Sequence, residues 1–92
     1  MGLITLLSDY GLRDNTVARL KVRVLRRIEN IEIVDISHLV EPHNILEAAH
    51  ILRGVYKDFP KGTIHLVMVG TSPQEGGQYI CLKSNGQYFL GA

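Results

Sequence analysis

Apolar residues fall into short continuous runs that alternate with stretches of helical periodicity. Leu3 to Leu7 is almost uninterrupted, which predicts a strand buried on both faces of a parallel sheet. Ile31 to Ile36 and Thr63 to Val69 are rich in β-branched residues and predict two further strands. Between the strands, apolar positions recur every three or four residues, which predicts two helices. Their predicted buried faces comprise Val17, Leu20, Val24, Leu25 and Ile28 in the first helix, and Ile45, Ala48, Ala49, Leu52 and Val55 in the second.

Capping and turn residues mark where these elements begin and end. Asp14 or Asn15 is predicted to cap the first helix. Asn44, with Glu47 three residues on, predicts a capping box for the second. Near the end of the chain, the pair Asn85-Gly86 predicts the turn of a β-hairpin. The two strands of that hairpin are predicted at residues 78–82 and 87–90.

The order of the elements predicts the fold class. Strand, helix, strand, helix, strand with right-handed crossovers indicates an α/β fold, a three-layer α/β/α arrangement around a mostly parallel sheet that ends in the β-hairpin. An apolar strand runs directly into Gly91-Ala92, with no helix after it to cover the sheet. We therefore expect residues 1–92 to be one part of a larger, truncated α/β domain.

Composition narrows the class of protein. The chain is 46% hydrophobic and 21% charged, as is ordinary for a soluble globular domain. A net charge of +1 disfavours a nucleic-acid or acidic-membrane surface, and the basic run from Arg19 to Arg27 is predicted to be a solvated helix face. Cys81 is the only cysteine, so no internal disulfide can form. With neither a signal peptide nor a transmembrane run, the sequence predicts a cytoplasmic protein.

Polar residues collect where the predicted parallel strands end. Ligands of open α/β sheets bind at that edge, and the candidate segments are Ser8 to Gly11, Asp35 to His38, and Gly70 to Ser72. Asp9 stands out, because a carboxylate there could accept hydrogen bonds from the vicinal hydroxyls of a ribose. It could equally cap the following turn, and periodicity does not separate the two interpretations.

Other chemistry has less support. His38 and His43 lie in a loop and could act as acids or bases, although loop histidines are more often structural. His50 and His65 are predicted to be packing residues. Ser8, His38 and Asp35 could form a triad, but no Gly-x-Ser-x-Gly elbow supports it. No zinc-ligand spacing, Gly-x-Gly-x-x-Gly or P-loop element is present, so no metal is expected.

Five segments, in order, resemble the S-adenosylmethionine hydroxide adenosyltransferases and the related fluorinase and chlorinase. Leu6 to Asp14 is similar to the family's opening T/S-D-F/L-G-x-x-D signature, and Ile33 to His38 to its I-V-D-I-T/S-H segment. The remaining three are Ile45 to Leu52 (I-x-x-A-A-x-x-L), Tyr56 to His65 (Y-x-x-F-P-x-G-T-I-H) and Gly86 to Gly91 (G-x-Y-F-V-G). Together they cover nearly the whole chain.

The resemblance implies a set of substrate-binding residues. By this correspondence Asp9 holds the ribose hydroxyls, Ser8 and Tyr10 flank the site, and His43 lies in a loop over the substrate. One departure concerns the loop after the third strand, where the hydroxide enzymes carry D-P-G-V-G-x-x-R. Here Gly70 replaces the aspartate and Gly77 falls at or near the arginine. The catalytic residues therefore stay unassigned.

The resemblance also implies the reaction and the assembly. The family cleaves S-adenosylmethionine with water, or with a halide, at the ribose C5′, with no cofactor. It has an N-terminal α/β domain that binds the adenosyl group and a C-terminal β-rich domain, absent from these residues, and it forms homotrimers. Two hypotheses follow, an S-adenosylmethionine hydrolase or an adenosyl-binding homologue with lost or altered catalysis. A purely structural role in trimer contacts is a third, against which Asp9 argues.

Overall fold

The computed structural model describes residues 2–70 and 80–91. Within them, both helices lack the length and hydropathy that a membrane-spanning helix requires. A short 3-10 turn, Tyr56–Asp58, follows the second helix. The elements in chain order are β1 (Gly2–Ser8), α1 (Thr16–Arg27), β2 (Ile31–Ser37), α2 (Ile45–Val55), β3 (Ile64–Met68), β4 (Ile80–Ser84) and β5 (Gln87–Gly91).

The five strands form one sheet in the order β2-β1-β3-β5-β4. The pairs β1–β2, β1–β3 and β3–β5 are parallel, and only β4–β5 is antiparallel. The chain moves from β1 outward to β2 and then back across β1 to β3. Right-handed crossovers in opposite directions place α1 and α2 on opposite faces. The predicted α/β class, with its mostly parallel sheet and final hairpin, is confirmed.

Strand β1 is the centre of the core. Leu6 is fully buried and Ile4 and Leu7 nearly so, as predicted for a strand covered on both faces. Leu7 packs with residues of α2 and of the loops after β2 and β3. This central apolar cluster consists of Leu7, Val40, Ala48 and Val69.

Helix α1 is less buried than its periodicity predicts. Val17 is buried, but Leu25 is 51% exposed and Ile28 44% exposed, so only the first half of the predicted face packs on the sheet. The N-cap residue is Asn15, whose side chain makes no capping hydrogen bond, and Asp14 just before it accepts a hydrogen bond at Oδ1 from the amide of Thr16 at 3.0 Å.

Helix α2 begins as predicted, because the side chain of Asn44 accepts a hydrogen bond from the amide of Glu47 at 2.9 Å. Three predictions about its faces are wrong. Ile45, in the first turn, is 65% exposed, and Ala49 is exposed next to the buried Ala48. His50 is also exposed and is not a packing residue, because it lies two positions beyond the buried Ala48 and so on another face of the helix.

The predicted hairpin is confirmed at its turn. Asn85 and Gly86 both have positive φ, 53° and 77°, which is the conformation of a type I′ turn between antiparallel strands. A Cβ on Gly86 would lie 2.9 Å from Cγ of Lys61, so this position requires glycine for space as well as for conformation. Strand β4 is described over residues 80–84 and ends two residues later than predicted. Residues 78 and 79 lie outside the described part of the chain.

His65, a predicted packing residue, is fully buried and joins three strands and the turn after α2. Its Nε2 contacts Oε1 of Gln87, whose Nε2 donates to the carbonyls of Tyr56 at 2.9 Å and Phe59 at 3.1 Å. The amide of Gln87 is therefore oriented with its oxygen toward the ring, and His65 Nε2 carries the hydrogen. His65 Nδ1 then accepts from the hydroxyl of Thr5 at 2.6 Å.

We expect Gln87→Ala to lower the free energy of unfolding by about 2–4 kcal/mol, because it leaves the ring nitrogen of His65 and two carbonyls buried without partners. Urea unfolding followed by circular dichroism measures the change. Ser84→Ala, an exposed position paired with Gln87 across the hairpin, is the matched control. Equal stabilities of the two variants would contradict a role for this hydrogen-bond network.

Candidate functional site

The candidate site lies where the chain reverses its direction of winding. Strands β1 and β3 are neighbours whose connections leave on opposite sides, and such a point opens a crevice beyond the strand ends. Asp9 directly follows β1, and its amide donates to the carbonyl of Met68, the last residue of β3, at 3.4 Å. Gly70 lies two residues further on. The topology thus brings Asp9 and Gly70 to the edge at which α/β sheets bind ligands.

The carboxylate of Asp9 links three loops. Its Oδ2 accepts hydrogen bonds from the amide of His43 at 2.8 Å and from the amide of Gly70 at 3.0 Å. These partners lie 34 and 61 residues away, so Asp9 does not cap its own following turn. Among the described residues, no donor occupies Oδ1. The carboxylate is therefore held in one orientation through Oδ2, and no described residue donates to its second oxygen.

Both amides that bind Asp9 come from residues with left-handed backbone conformation. His43 has φ 62° and Gly70 has φ 75°, conformations that turn the chain sharply. A Cβ on Gly70 would lie 3.4 Å from Nδ1 of His43, an ordinary contact, so it is the positive φ that favours glycine here. Glycine at position 70 thus permits the turn that directs its amide to Asp9.

A second set of hydrogen bonds lies directly beneath Asp9. His38 Nδ1 is 2.6 Å from Oγ of Ser8, and its Nε2 is 2.8 Å from Oδ1 of Asp35. Oδ2 of Asp35 in turn pairs with the ammonium group of Lys21 on α1. From the sequence, Ser8, His38 and Asp35 were a possible triad without a supporting motif, and the structure brings these three side chains together.

Burial excludes Ser8 as a nucleophile in this conformation. Its relative exposure is 0%, and that of His38 is 4%, so no substrate reaches the hydroxyl. The amide of Tyr10 also points to Ser8 Oγ, at 3.4 Å. The Ser8, His38 and Asp35 network is therefore an internal support for the loop that carries Asp9.

The five predicted substrate-binding residues all lie at this edge, and we name them the Asp9 cluster. Asp9, His43 and Gly70 are in direct contact, and Tyr10 is joined to Ser8 through its backbone. The cluster comprises Ser8, Asp9, Tyr10, His43 and Gly70.

Sequence reasoning missed the joint role of Lys21, Asp35 and His38. The three-residue spacing of Asp35 and His38 at the end of β2 was a visible signal, whereas Lys21 looked like part of a solvated basic run. The described residues contain no group of three or more side chains that could hold a metal ion. Gly77, which falls at or near the family's arginine, lies outside the described residues.

Asp35 is the charged end of the buried network. Partial burial alone would raise the pKa of its carboxyl, but hydrogen bonds from Lys21 and His38, with the positive charge of Lys21, outweigh burial and hold the pKa below its ordinary value of 3.8. The ionised form is therefore favoured in the folded protein. Because the folded pKa is lowered, Asp35 stabilises the fold above the unfolded pKa, and this stabilisation is lost as pH falls through the folded pKa.

We expect Asp35→Asn to be less stable than the wild type at pH 7, and the difference to narrow as the pH falls below about 4. Asparagine keeps an acceptor for His38 but removes the charge that faces Lys21. Thermal unfolding across that pH range measures the difference. Glu29→Gln, an exposed carboxylate in the turn after α1, is the control. A difference that does not vary with pH would contradict an ionic contribution.

Comparison with known proteins was made by sequence and by fold. A profile of the SAM hydroxide adenosyltransferase N-terminal domain matches residues 4–92. The (R)-S-adenosyl-L-methionine hydrolase of Methanocaldococcus jannaschii is 27% identical over 94 residues, which cover 98% of this chain and 35% of the relative. A fluorinase of Nocardia brasiliensis is 34% identical over 62 residues, covering 67% of this chain and 21% of that enzyme.

A solved structure agrees with these matches. The crystal structure of an uncharacterized conserved protein from Thermotoga maritima superposes with a TM-score of 0.86 at 37% identity, covering 96% of this chain and 34% of that one. The chain spans about a third of the length of the hydrolase and of this solved protein. On the profile match, the chain belongs to the SAM hydroxide adenosyltransferase family, in the N-terminal domain.

Proposed function

We propose that the Asp9 cluster binds the adenosyl group of S-adenosylmethionine, and that the whole protein hydrolyses this substrate to adenosine and methionine. The observation that carries the proposal is the carboxylate of Asp9, whose Oδ2 is oriented by two backbone amides at the β1–β3 edge while no described residue donates to Oδ1. The names of two relatives, an (R)-S-adenosyl-L-methionine hydrolase and a fluorinase, support the substrate class.

A fixed carboxylate suits a ribose. Ribose hydroxyls are donors that need an acceptor in a defined place, and an ionised carboxylate makes stronger hydrogen bonds than a neutral group. Since the amides of His43 and Gly70 already hold Oδ2, the ligand does not have to orient Asp9 when it binds. Oδ1, rather than both carboxylate oxygens, is then the main ribose acceptor.

The proposed reaction is a displacement at carbon. A water oxygen forms a bond to the ribose C5′, the bond between C5′ and the sulfonium breaks, and its electron pair stays on sulfur in neutral methionine. The water proton is lost to solvent. The positively charged sulfonium is already a good leaving group, so positioning of the ribose and desolvation of the water supply most of the acceleration.

A second candidate function is adenosyl binding with altered or lost catalysis. It is favoured by Gly70, which stands where the hydroxide enzymes carry an aspartate and which uses its backbone amide to hold Asp9. A glycine provides no side chain to position an attacking water. Under this alternative the cluster keeps the nucleoside but does not accelerate its cleavage.

We further propose the setting in which the site works. The described residues form part of an N-terminal adenosyl-binding domain, which in the full-length protein is followed by a β-rich domain and assembles as a homotrimer in the cytoplasm. The length of the relatives, about three times that of this chain, supports a larger whole protein.

Replacing Asp9 tests the ribose contact. We expect Asp9→Ala to weaken binding of S-adenosylmethionine and of adenosine by about 10- to 100-fold, since it removes a hydrogen bond to a charged group. Isothermal titration calorimetry on the full-length protein measures both affinities. Glu29→Ala, which removes an exposed carboxylate in the turn after α1, is the control and should bind like the wild type.

A double comparison makes this test specific for the ribose. The wild type should lose affinity for 2′,3′-dideoxyadenosine relative to adenosine, whereas Asp9→Ala should bind the two equally weakly. If Asp9→Ala still discriminates between them as the wild type does, another residue holds the hydroxyls and the proposed role of Asp9 is wrong.

Product analysis separates the two candidate functions. If the protein is a hydrolase, incubation with S-adenosylmethionine releases adenosine and methionine in equal amounts, and in ¹⁸O-labelled water the label enters the 5′-hydroxyl of adenosine. Chromatography with mass detection measures both. Tight binding with adenosine formed only at the rate of a protein-free control would leave the binding function and reject hydrolysis.

A further inference from the structure

His38 contacts the Asp9 loop from below through both its side chain and its backbone. Its ring nitrogen Nδ1 accepts a hydrogen bond from the hydroxyl of Ser8, and its carbonyl accepts one from the amide of Gly11 at 2.8 Å. Ser8 and Gly11 lie on either side of Asp9, and Gly11 has φ 77°, so the chain turns sharply between them. We propose that His38 is a positioning residue, which sets the orientation of the Asp9 carboxylate toward its ligand. This inference rests on the proposed function of the cluster.

The hydrogen-bond directions in this network are determined by its outer end. Asp35 is an ionised acceptor paired with Lys21, so His38 Nε2 donates to it. In the neutral ring, His38 Nδ1 is then the acceptor, and the hydroxyl of Ser8 donates to it. With its hydrogen committed to the ring, Ser8 Oγ accepts from the amide of Tyr10. Each group thus fixes the direction of the next, from the surface of α1 to the residues that flank Asp9.

The loop that carries Asp9 is also held by a backbone hydrogen bond from Val40. The amide of Val40 donates to the carbonyl of Ser8 at 3.4 Å, and Ser8 and His38 are both almost completely buried. The residues before and after Asp9 are therefore held on the loop that follows β2. Asp9 itself then reaches across to His43 and Gly70. A shift of Ser8 would be passed directly to the carboxylate, because the two residues are adjacent in the chain.

Two substitutions of His38 separate its two side-chain contacts. The amide oxygen of asparagine takes the place of Nδ1, so His38→Asn keeps an acceptor for Ser8 and loses Asp35. The amide nitrogen of glutamine takes the place of Nε2, so His38→Gln keeps a donor to Asp35 and loses Ser8. Each variant removes one buried hydrogen bond, so both should lose similar thermal stability.

His38→Asn and His38→Gln should differ in ligand affinity even though their thermal stabilities are similar. We expect His38→Gln to bind adenosine about tenfold more weakly than His38→Asn, because only the glutamine variant releases Ser8. Calorimetry with adenosine on the full-length protein measures this, and Ser8→Ala should match His38→Gln. His50→Gln, an exposed histidine on α2, is the control and should leave affinity unchanged.

A readout without ligand distinguishes this inference from the proposed function. The amide resonances of His43 and Gly70 report their hydrogen bonds to Asp9, and they should move in His38→Gln but not in His38→Asn. Unmoved resonances in His38→Gln, or equal adenosine affinities in folded His38→Gln and His38→Asn, would overturn the positioning role. A wild type that binds no adenosine while the resonances still divide the variants would overturn the proposed function alone.

Discussion

One oxygen atom, Oδ2 of Asp9, holds the ligand edge of this sheet together. It accepts the amides of two residues that follow two different neighbours of β1, and both amides come from backbone in the left-handed region. Without that acceptor, the exposed turns at His43 and Gly70 would lose the group that joins them. The arrangement also leaves the carboxylate ready for use, since its rotamer is set by the fold before any ligand arrives.

The central strand places polar groups inside the protein, and histidines satisfy them on both sides. Thr5 of β1 bonds to His65 of β3, and Ser8 of β1 bonds to His38 beyond β2. In each case the far nitrogen of the ring is occupied by a side chain that is itself anchored, so each ring has one tautomer. The two histidines therefore make similar hydrogen bonds but have different roles, since His65 joins the strands in the core and His38 supports the site.

Much of the fold could be predicted because local signals agreed with the global arrangement. The apolar run of β1, the capping by Asn44 and the Asn85-Gly86 turn each act over a few residues and are visible in one line of sequence. The exposure of Leu25 and Ile28 could not be predicted, because periodicity shows which face of a helix is apolar but not how much sheet lies under it.

The candidate site residues could be selected from the sequence, but the contacts between them could not. The position of Asp9 at a strand end and a family resemblance were enough to select it. That its oxygen bonds residues 34 and 61 positions away follows only from the strand order. Lys21 shows the same limit, since its charge looked like solvated surface until β2 placed Asp35 beside it.

The distance along the chain between β1 and its neighbours has a consequence for synthesis. Thr5 meets its histidine 60 residues later, and Leu6 pairs with β3 only when that strand exists. Strand β1 thus leaves the ribosome before both of its partners and waits longest for the one on its second edge. Contacts of such large sequence separation form slowly, and an apolar strand with a free edge promotes aggregation in the meantime. Thr5 within β1 and Ser8 at its end carry hydroxyl groups, so the unpaired strand is less prone to aggregate than a continuous apolar run would be.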